Sequence, residues 1–183
     1  MGEEKNASYY DNIFNVFPHY ALDVNGYNSP WFHISTLVMD MLNKEEKILE
    51  LGCGTGQFAE ILINKGYNYI HGMDFSPQAI SMSKERCKKD IFQCENIYKF
   101  NFNEIDFDIA ICIEVFEHIE KDLMIIRKIP KGKKIIFTVP SYDAGGHVRY
   151  FSHKEKVIKR FKSEFTIFDV KENNNIYFIC AVK

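Results

Sequence analysis

Three glycines at alternate positions, Gly52, Gly54 and Gly56, follow directly on Glu50 in the run Glu50-Leu51-Gly52-Cys53-Gly54-Thr55-Gly56. Glycine takes positive φ freely and has no Cβ, so backbone built this way comes close to a bound ligand, and a helix that follows presents N–H groups without intrahelical partners. Such a turn is a nucleotide cradle. A dinucleotide fingerprint needs its third glycine at position 57, where Gln57 stands, and the Gly-Lys-Ser/Thr ending of a phosphate loop occurs nowhere in the chain. Asp74 closes the next strand-like run. An ionised carboxylate only accepts hydrogen bonds, so Asp74 can take both hydroxyl hydrogens of a ribose. Phe75 offers an apolar face to a base, and Ser76 before Pro77 reads as a helix N-cap.

A second group lies downstream. Glu114, Glu117 and His118 form E-x-x-E-H, which on a helix would put three potential ligands on one face. His147 and Arg149 lie in Gly145-Gly146-His147-Val148-Arg149-Tyr150-Phe151-Ser152. Histidine is the usual group for taking a proton near neutral pH, and the planar fork of arginine suits a carboxylate or phosphate. Two carboxylates and an imidazole suit several divalent ions. The dipole of a helix favours acidic residues in its first turn in any case, so the reading assigns no metal.

The elements that must position these residues alternate from residue 44 onward, strand-like with helix-like, as in a mostly parallel sheet with helices on both faces. Strands are expected at 47–51, 69–74, 91–94, 107–112, 133–139, 165–170 and 176–182, with the asparagine-rich 171–175 as a hairpin turn that makes the last pair antiparallel. Residues 1–43 carry Tyr9, Tyr10, Phe14, Phe17, Tyr20, Tyr27, Trp31 and Phe32. Ser29-Pro30 reads as an N-cap with proline at the first helical position, and Ile34, Leu37, Val38 and Met41 follow at helical spacing. The expected organisation is one domain over 1–183, with 1–43 as a helical, aromatic lid segment and 44–183 as the core. Only 140–151 separate the fifth strand from the next helix, so the lid segment and this loop must build any acceptor pocket.

The 183 residues are 46% hydrophobic and 26% charged with a net charge of -2, which supplies no general basic field for a nucleic-acid backbone. The basic stretch Arg149, Lys154, Lys156, Lys159, Arg160 and Lys162 reads as a solvated helix face. No apolar run approaches the roughly 20 residues of a membrane span, and the first residues carry no apolar signal region. The five cysteines are odd in number and lack C-x-x-C, which suits reduced thiols. A soluble cytoplasmic monomer or homodimer is expected, acting on a small-molecule acceptor, with neither membrane nor nucleic acid as partner.

The E-x-G-x-G-x-G run, Asp74, and Phe107-Asp108 followed by Glu114-Val115-Phe116-Glu117-His118 together resemble the class I S-adenosylmethionine (AdoMet) methyltransferases. The His147 segment is similar to the H-x-R-x-F-S/T stretch of small-molecule enzymes of the ubiquinone-biosynthesis O-methyltransferase type. The likeness runs from about 47 to 151. It implies an α/β fold, a Rossmann-like doubly wound seven-stranded sheet in the order 3-2-1-4-5-7-6 with strand 7 antiparallel, and S-adenosyl-L-methionine as cofactor, released as S-adenosyl-L-homocysteine (AdoHcy). Implied cofactor contacts are Glu50, supporting the loop or meeting the cofactor's amino group, then Gly52, Cys53, Gly54 and Gly56. They continue with Asp74, Phe75, Ser76 and Ile113. Asn96 and Ile97 stand where the family usually has an Asp reading the adenine amino group, and Tyr9 would close from the lid over the sulfonium. For catalysis the candidates are His147 and His118 as proton acceptors and Arg149, whose planar fork lies in the pocket loop, as anchor for an anionic or phosphorylated acceptor. O-methylation of a small molecule is the leading expectation. The alternatives are RNA 2′-O-methylation with a divalent metal, as in the small-RNA 3′-end enzymes that share E-x-x-E-H, and a non-catalytic AdoMet-binding partner protein.

Overall fold

Polypeptide from 2 to 17 and from 30 to 183, without the side chains of 30 and 31, is described by a computed structural model. The expectations for Tyr20, Tyr27, Ser29 and the Trp31 side chain lie outside the described residues. Among the described residues, six α-helices and seven strands run in chain order as α1 (Ala7–Val16), α2 (Pro30–Met39), β1 (Ile48–Leu51), α3 (Gln57–Asn64), β2 (Tyr69–Asp74), α4 (Pro77–Cys87), β3 (Phe92–Cys94), β4 (Ile109–Cys112), α5 (Asp122–Lys128), β5 (Lys134–Pro140), α6 (Lys154–Phe161), β6 (Ile167–Asn173) and β7 (Ile176–Val182). The strands form one sheet in the order β3-β2-β1-β4-β5-β7-β6, and β7 is antiparallel to both β5 and β6. This is the order the family resemblance implied.

All four residues of β1 and of β4 are buried, as are six of the seven in β5. Such unbroken apolar runs, Ile48-Leu49 or Ile135-Ile136-Phe137, belong to strands covered on both faces and not to half-exposed ones. The strand at 69–74 falls where the sequence puts it. The sixth strand differs: it is expected to stop at 170 and continues to Asn173. Only Asn174 and Asn175 make the turn, with φ of 48° and 64°. A two-residue hairpin of this hand needs φ > 0 at both central positions, and asparagine tolerates that better than other side chains.

The chain divides into two compact units, one of residues 6–100 and one of residues 1–5 with 101–183. In the first, β1, β2 and β3 are parallel, α1 is capped by Asn6, whose side chain accepts the Tyr9 N–H, and α4 is capped by Ser76, which accepts the Ala79 N–H. In the second, β4 and β5 are parallel, and the core centres on rings of Phe116, Phe137 and Phe161, none of them exposed. Phe137 meets Phe116 and Phe161 edge-on at centroid distances of 5.2 and 5.1 Å. Edge-to-face packing adds to the burial of apolar area. The Phe137→Ala variant is expected to lose about 3–5 kcal/mol of stability, read as a lowered urea midpoint with unchanged slope; a loss under ~1 kcal/mol would contradict this packing.

Candidate active site

The glycine loop, within the unit of residues 6–100, leaves β1 and enters α3 with Gly52, Gly54 and Gly56 at φ of 73°, 52° and 77°. Each sits in the left-handed region that side chains resist. A Cβ on Gly56 would lie 2.8 Å from the Ser83 Cβ, so only glycine lets α4 pack under the loop. The Gly52 and Cys53 N–H groups both donate to the Met73 carbonyl, at 2.8 and 2.9 Å, which fixes the start of the loop to the end of β2. Asp74 completes the join: Oδ2 accepts the Gly54 N–H at 3.0 Å and Oδ1 accepts the Ser76 N–H at 2.9 Å. Each carboxylate oxygen has two lone-pair sites, so both retain acceptor capacity for a ribose. Burial pushes the Asp74 carboxyl up to about 6, against the N–H donors from Ser76, Gly54 and Phe75 that lower it, while Asp11 nearby raises it further.

Glu50 stands under the loop, 3% exposed, and its Oε2 accepts the Tyr69 hydroxyl at 2.7 Å. Gly72 makes the room, since a Cβ there would lie 2.3 Å from that hydroxyl oxygen. Of the two roles the resemblance allowed Glu50, this geometry suits loop support. Burial pushes its carboxyl up to about 8, opposed by the Tyr69 hydrogen bond. Cys53 is buried in the loop and its thiol is pushed well up, chiefly by burial. Ile97 is buried after β3, and Asn96 uses its side-chain carbonyl to accept the Tyr98 N–H at 2.8 Å, a local turn that shares the acceptor expected to read a base. Tyr10 packs its ring on Phe75 at 5.4 Å, with Tyr9 edge-on to Tyr10 at 5.2 Å.

In the unit of residues 1–5 and 101–183, E-x-x-E-H is not on a helix. Glu114 has φ of 52°, residues 115–118 form a turn closed by the His118 N–H on the Val115 carbonyl at 2.9 Å, and α5 begins only at Asp122. The i, i+3, i+4 face is therefore corrected. The Thr138 hydroxyl on β5 accepts the Glu114 N–H at 2.9 Å and donates to Glu114 Oε1 at 2.8 Å, holding a left-handed glutamate that costs energy to keep. Glu114 is outside the cluster that does form, in which ligand atoms of Glu117, His118 and His147 lie within 4.8 Å of one another, but its carboxyl meets that of Glu117. Ile113, half-buried just after β4, precedes this turn.

The two rings sit 4.9 Å apart, edge to face. His118 Nδ1 lies 3.1 Å from the Gly146 carbonyl, which only accepts, so Nδ1 carries the proton and Nε2 the lone pair. His147 Nδ1 accepts the Ala144 N–H at 3.2 Å, so in its neutral form the proton is on Nε2. Burial lowers His118 to about 4 and also lowers His147, so both rings are neutral at pH 7. Glu117 is fully buried; its carboxyl meets that of Glu114 and finds no other hydrogen-bond partner among the described residues. Burial first and Glu114 second push its carboxyl well up.

Arg149 is occupied otherwise than expected. Its guanidinium donates to the carbonyls of Phe116, Ile119 and Glu120 and lies 3.5 Å from Asp122, a fully buried carboxylate that Arg160 grips with two hydrogen bonds of 2.7 and 2.6 Å. The Val148 N–H donates to the Glu117 carbonyl at 2.8 Å. Arg149 thus clamps the turn bearing Glu117 and His118 against the strip bearing His147, and its reading as an anion anchor is corrected. Sequence reasoning missed Thr138, whose lone hydroxyl in an apolar strand was the available signal, and Asp11, for which spacing gave none.

A glycine cradle with a carboxylate at the end of the second parallel strand defines a nucleotide-type site on a doubly wound fold. Residues 49–131 match the family described as a methyltransferase domain. An uncharacterised protein of Methanocaldococcus jannaschii is 32% identical over 158 residues, 81% of this chain and 67% of that protein. The ubiquinone biosynthesis O-methyltransferase of Coxiella burnetii is 28% identical over 103 residues, 52% of this chain and 44% of that enzyme, so the chain spans less than half of that relative. The crystal structure of magnesium protoporphyrin IX methyltransferase from Synechocystis with bound AdoMet has the same fold, with a TM-score of 0.66 at 12% identity over 100% of this chain and 99% of that one. The chain belongs to the class I AdoMet-dependent methyltransferases.

AdoMet fits the residues present: three left-handed glycines allow close backbone approach, and Asp74 keeps acceptor sites beside them. The buried Glu50 gives a test of the loop's foundation. Its folded value of about 8 lies above the ordinary 4.5, so the folded chain holds a proton the unfolded chain has lost. Stability therefore falls as pH rises from about 4.5 to about 8 and levels beyond. Glu50→Gln keeps an acceptor for Tyr69 without that proton. Its stability relative to wild type, from urea midpoints, should climb steadily between pH 5 and pH 8; a constant difference would contradict a buried, neutral Glu50.

Proposed function

We propose that the chain transfers a methyl group from AdoMet to a hydroxyl of a small molecule, with His118 as proton acceptor. The observation that carries this reading is the complementary pair of neutral rings, in which His118 Nε2 offers a lone pair and His147 Nε2 a hydrogen. AdoMet, when bound, supplies an electrophilic methyl carbon, and displacement at that carbon depends mostly on positioning and on exclusion of water. Gly52, Gly54, Gly56 and Asp74 would hold it, with Phe75 against its base. His118 takes the hydroxyl proton at Nε2, held in direction by the Gly146 carbonyl on its other nitrogen, and His147 donates to the acceptor's oxygen. Arg149, through Asp122 and Arg160, keeps the two histidine-bearing segments in register. The acceptor's class is left to its hydroxyl, since Arg149 is engaged with backbone.

Incubating the chain with AdoMet and fractionated metabolite extract, and following AdoHcy release, tests this. His118→Ala should lower the rate on an active fraction about 10²–10⁴-fold, with AdoHcy affinity unchanged. Equal rates in the variant would sink His118 as the base.

A second reading has its own observation: the buried Glu117 carboxyl has only the like-charged Glu114 carboxyl beside it as partner among the described residues and stands with His118 and His147 in one cluster. A divalent cation there would satisfy it, taking His118 at Nε2, and His147 would have to surrender either its Ala144 bond or its Nε2 proton. Such a cation would serve as a Lewis acid on the acceptor oxygen. Activity that survives exhaustive chelation rejects this reading. Activity that is lost on chelation and restored by a divalent ion in wild type, but not in Glu117→Gln, supports it.

A further inference from the structure

The first helix carries an aspartate that the proposed reaction does not use. Asp11 on α1 accepts, at the single oxygen Oδ1, both the Ser76 hydroxyl and the Gln78 N–H, the latter at 3.2 Å. Ser76 is a node: its N–H goes to Asp74, its hydroxyl donates to Asp11, and the same oxygen accepts the Ala79 N–H at 3.0 Å. Asp11 therefore caps α4 from outside that helix, a place where the helix dipole favours negative charge. The rest of α1 is shallowly seated, with none of its residues buried. Its aromatic side lies over the cradle, Tyr10 on the Phe75 ring at 5.4 Å and Phe14 with its ring tip 4.0 Å from where a Cβ on Gly54 would stand. A helix of ten residues is marginal alone, so its anchorage decides how long it stays down.

We infer that Asp11 is a positioning residue of the cofactor site, the latch that holds α1 as a cover over Gly54 and the Asp74-Phe75-Ser76 corner. This rests on the reading of that corner as the AdoMet site. The cover must lift for the cofactor to enter or leave and must be down to keep Tyr10 and Phe14 over it. Removing the latch frees a cover without altering the cradle, because Asp74, Gly54 and the Ser76 cap of Ala79 keep their own bonds. Exit of bound ligand should then quicken while entry does not slow, a split that a damaged cradle cannot give.

Stopped-flow binding of AdoHcy separates the cases. For Asp11→Ala the dissociation rate should rise about tenfold, the loss of hydrogen bonds to one charged acceptor, and the association rate should be equal or faster. Asp11→Asn, which keeps an oxygen acceptor for Ser76 and Gln78, should recover most of the wild-type rate. Hydrogen exchange on the ligand-free protein gives a readout independent of the cofactor: amides of 7–16 should lose protection in Asp11→Ala while those of β1 and β2 do not. Unchanged dissociation with unchanged exchange in a wild type that binds AdoHcy overturns the latch alone. A folded wild type that binds no AdoHcy overturns the site reading and the latch with it.

Discussion

The carboxylate of Asp74 is the constraint on which the first unit turns. One oxygen takes the N–H of Gly54 and the other that of Ser76, so a single side chain at the end of β2 fixes the middle of the glycine loop and the start of α4. Three glycines in the left-handed region make a loop with much freedom to lose, and these bonds, with the two from the Met73 carbonyl, are what make one conformation prevail. The cost is a buried charge, visible in a carboxyl pushed up to about 6. Tying a charged acceptor into backbone N–H groups is how such a charge stays tolerable.

The second unit solves a similar problem with different residues. Glu114 holds a left-handed conformation because Thr138 satisfies both its N–H and its carboxylate, and that bend prevents a helix from forming across residues 114–118. Arg149 then fixes the resulting turn by its carbonyls, with Asp122 and Arg160 behind it. A buried arginine–carboxylate network of this sort adds little net stability compared with apolar packing. What it supplies is direction: His118, His147 and Glu117 converge because irregular backbone on either side of them is pinned.

Much of this was legible in the chain. The runs Ile48-Leu49, Ile109-Ala110-Ile111 and Ile135-Ile136-Phe137 announced buried parallel strands, and Ser76-Pro77 announced a helix start, since both signals are local and depend on chemistry within a few residues. The strand order came from family likeness, because periodicity carries no information on which strands pair. The failures share one cause. E-x-x-E-H was read at helical spacing, but a hydroxyl 24 positions away on β5 decides the backbone at Glu114. Arg149 was read as an anion anchor because its partners are carbonyls, which every residue has and no sequence displays. Asp11 was passed over because its partners Ser76 and Gln78 are 65 and 67 residues distant.

Asp74 shapes the cradle and, in the proposed function, receives the cofactor. Calorimetric titration of AdoHcy into wild type and into Asp74→Asn addresses both, with circular dichroism to establish that the variant is folded. The expected result is one saturable site per chain in wild type and an affinity at least about a hundredfold weaker in Asp74→Asn, the loss of hydrogen bonds to a charged acceptor. A folded variant that binds AdoHcy as tightly as wild type would contradict it.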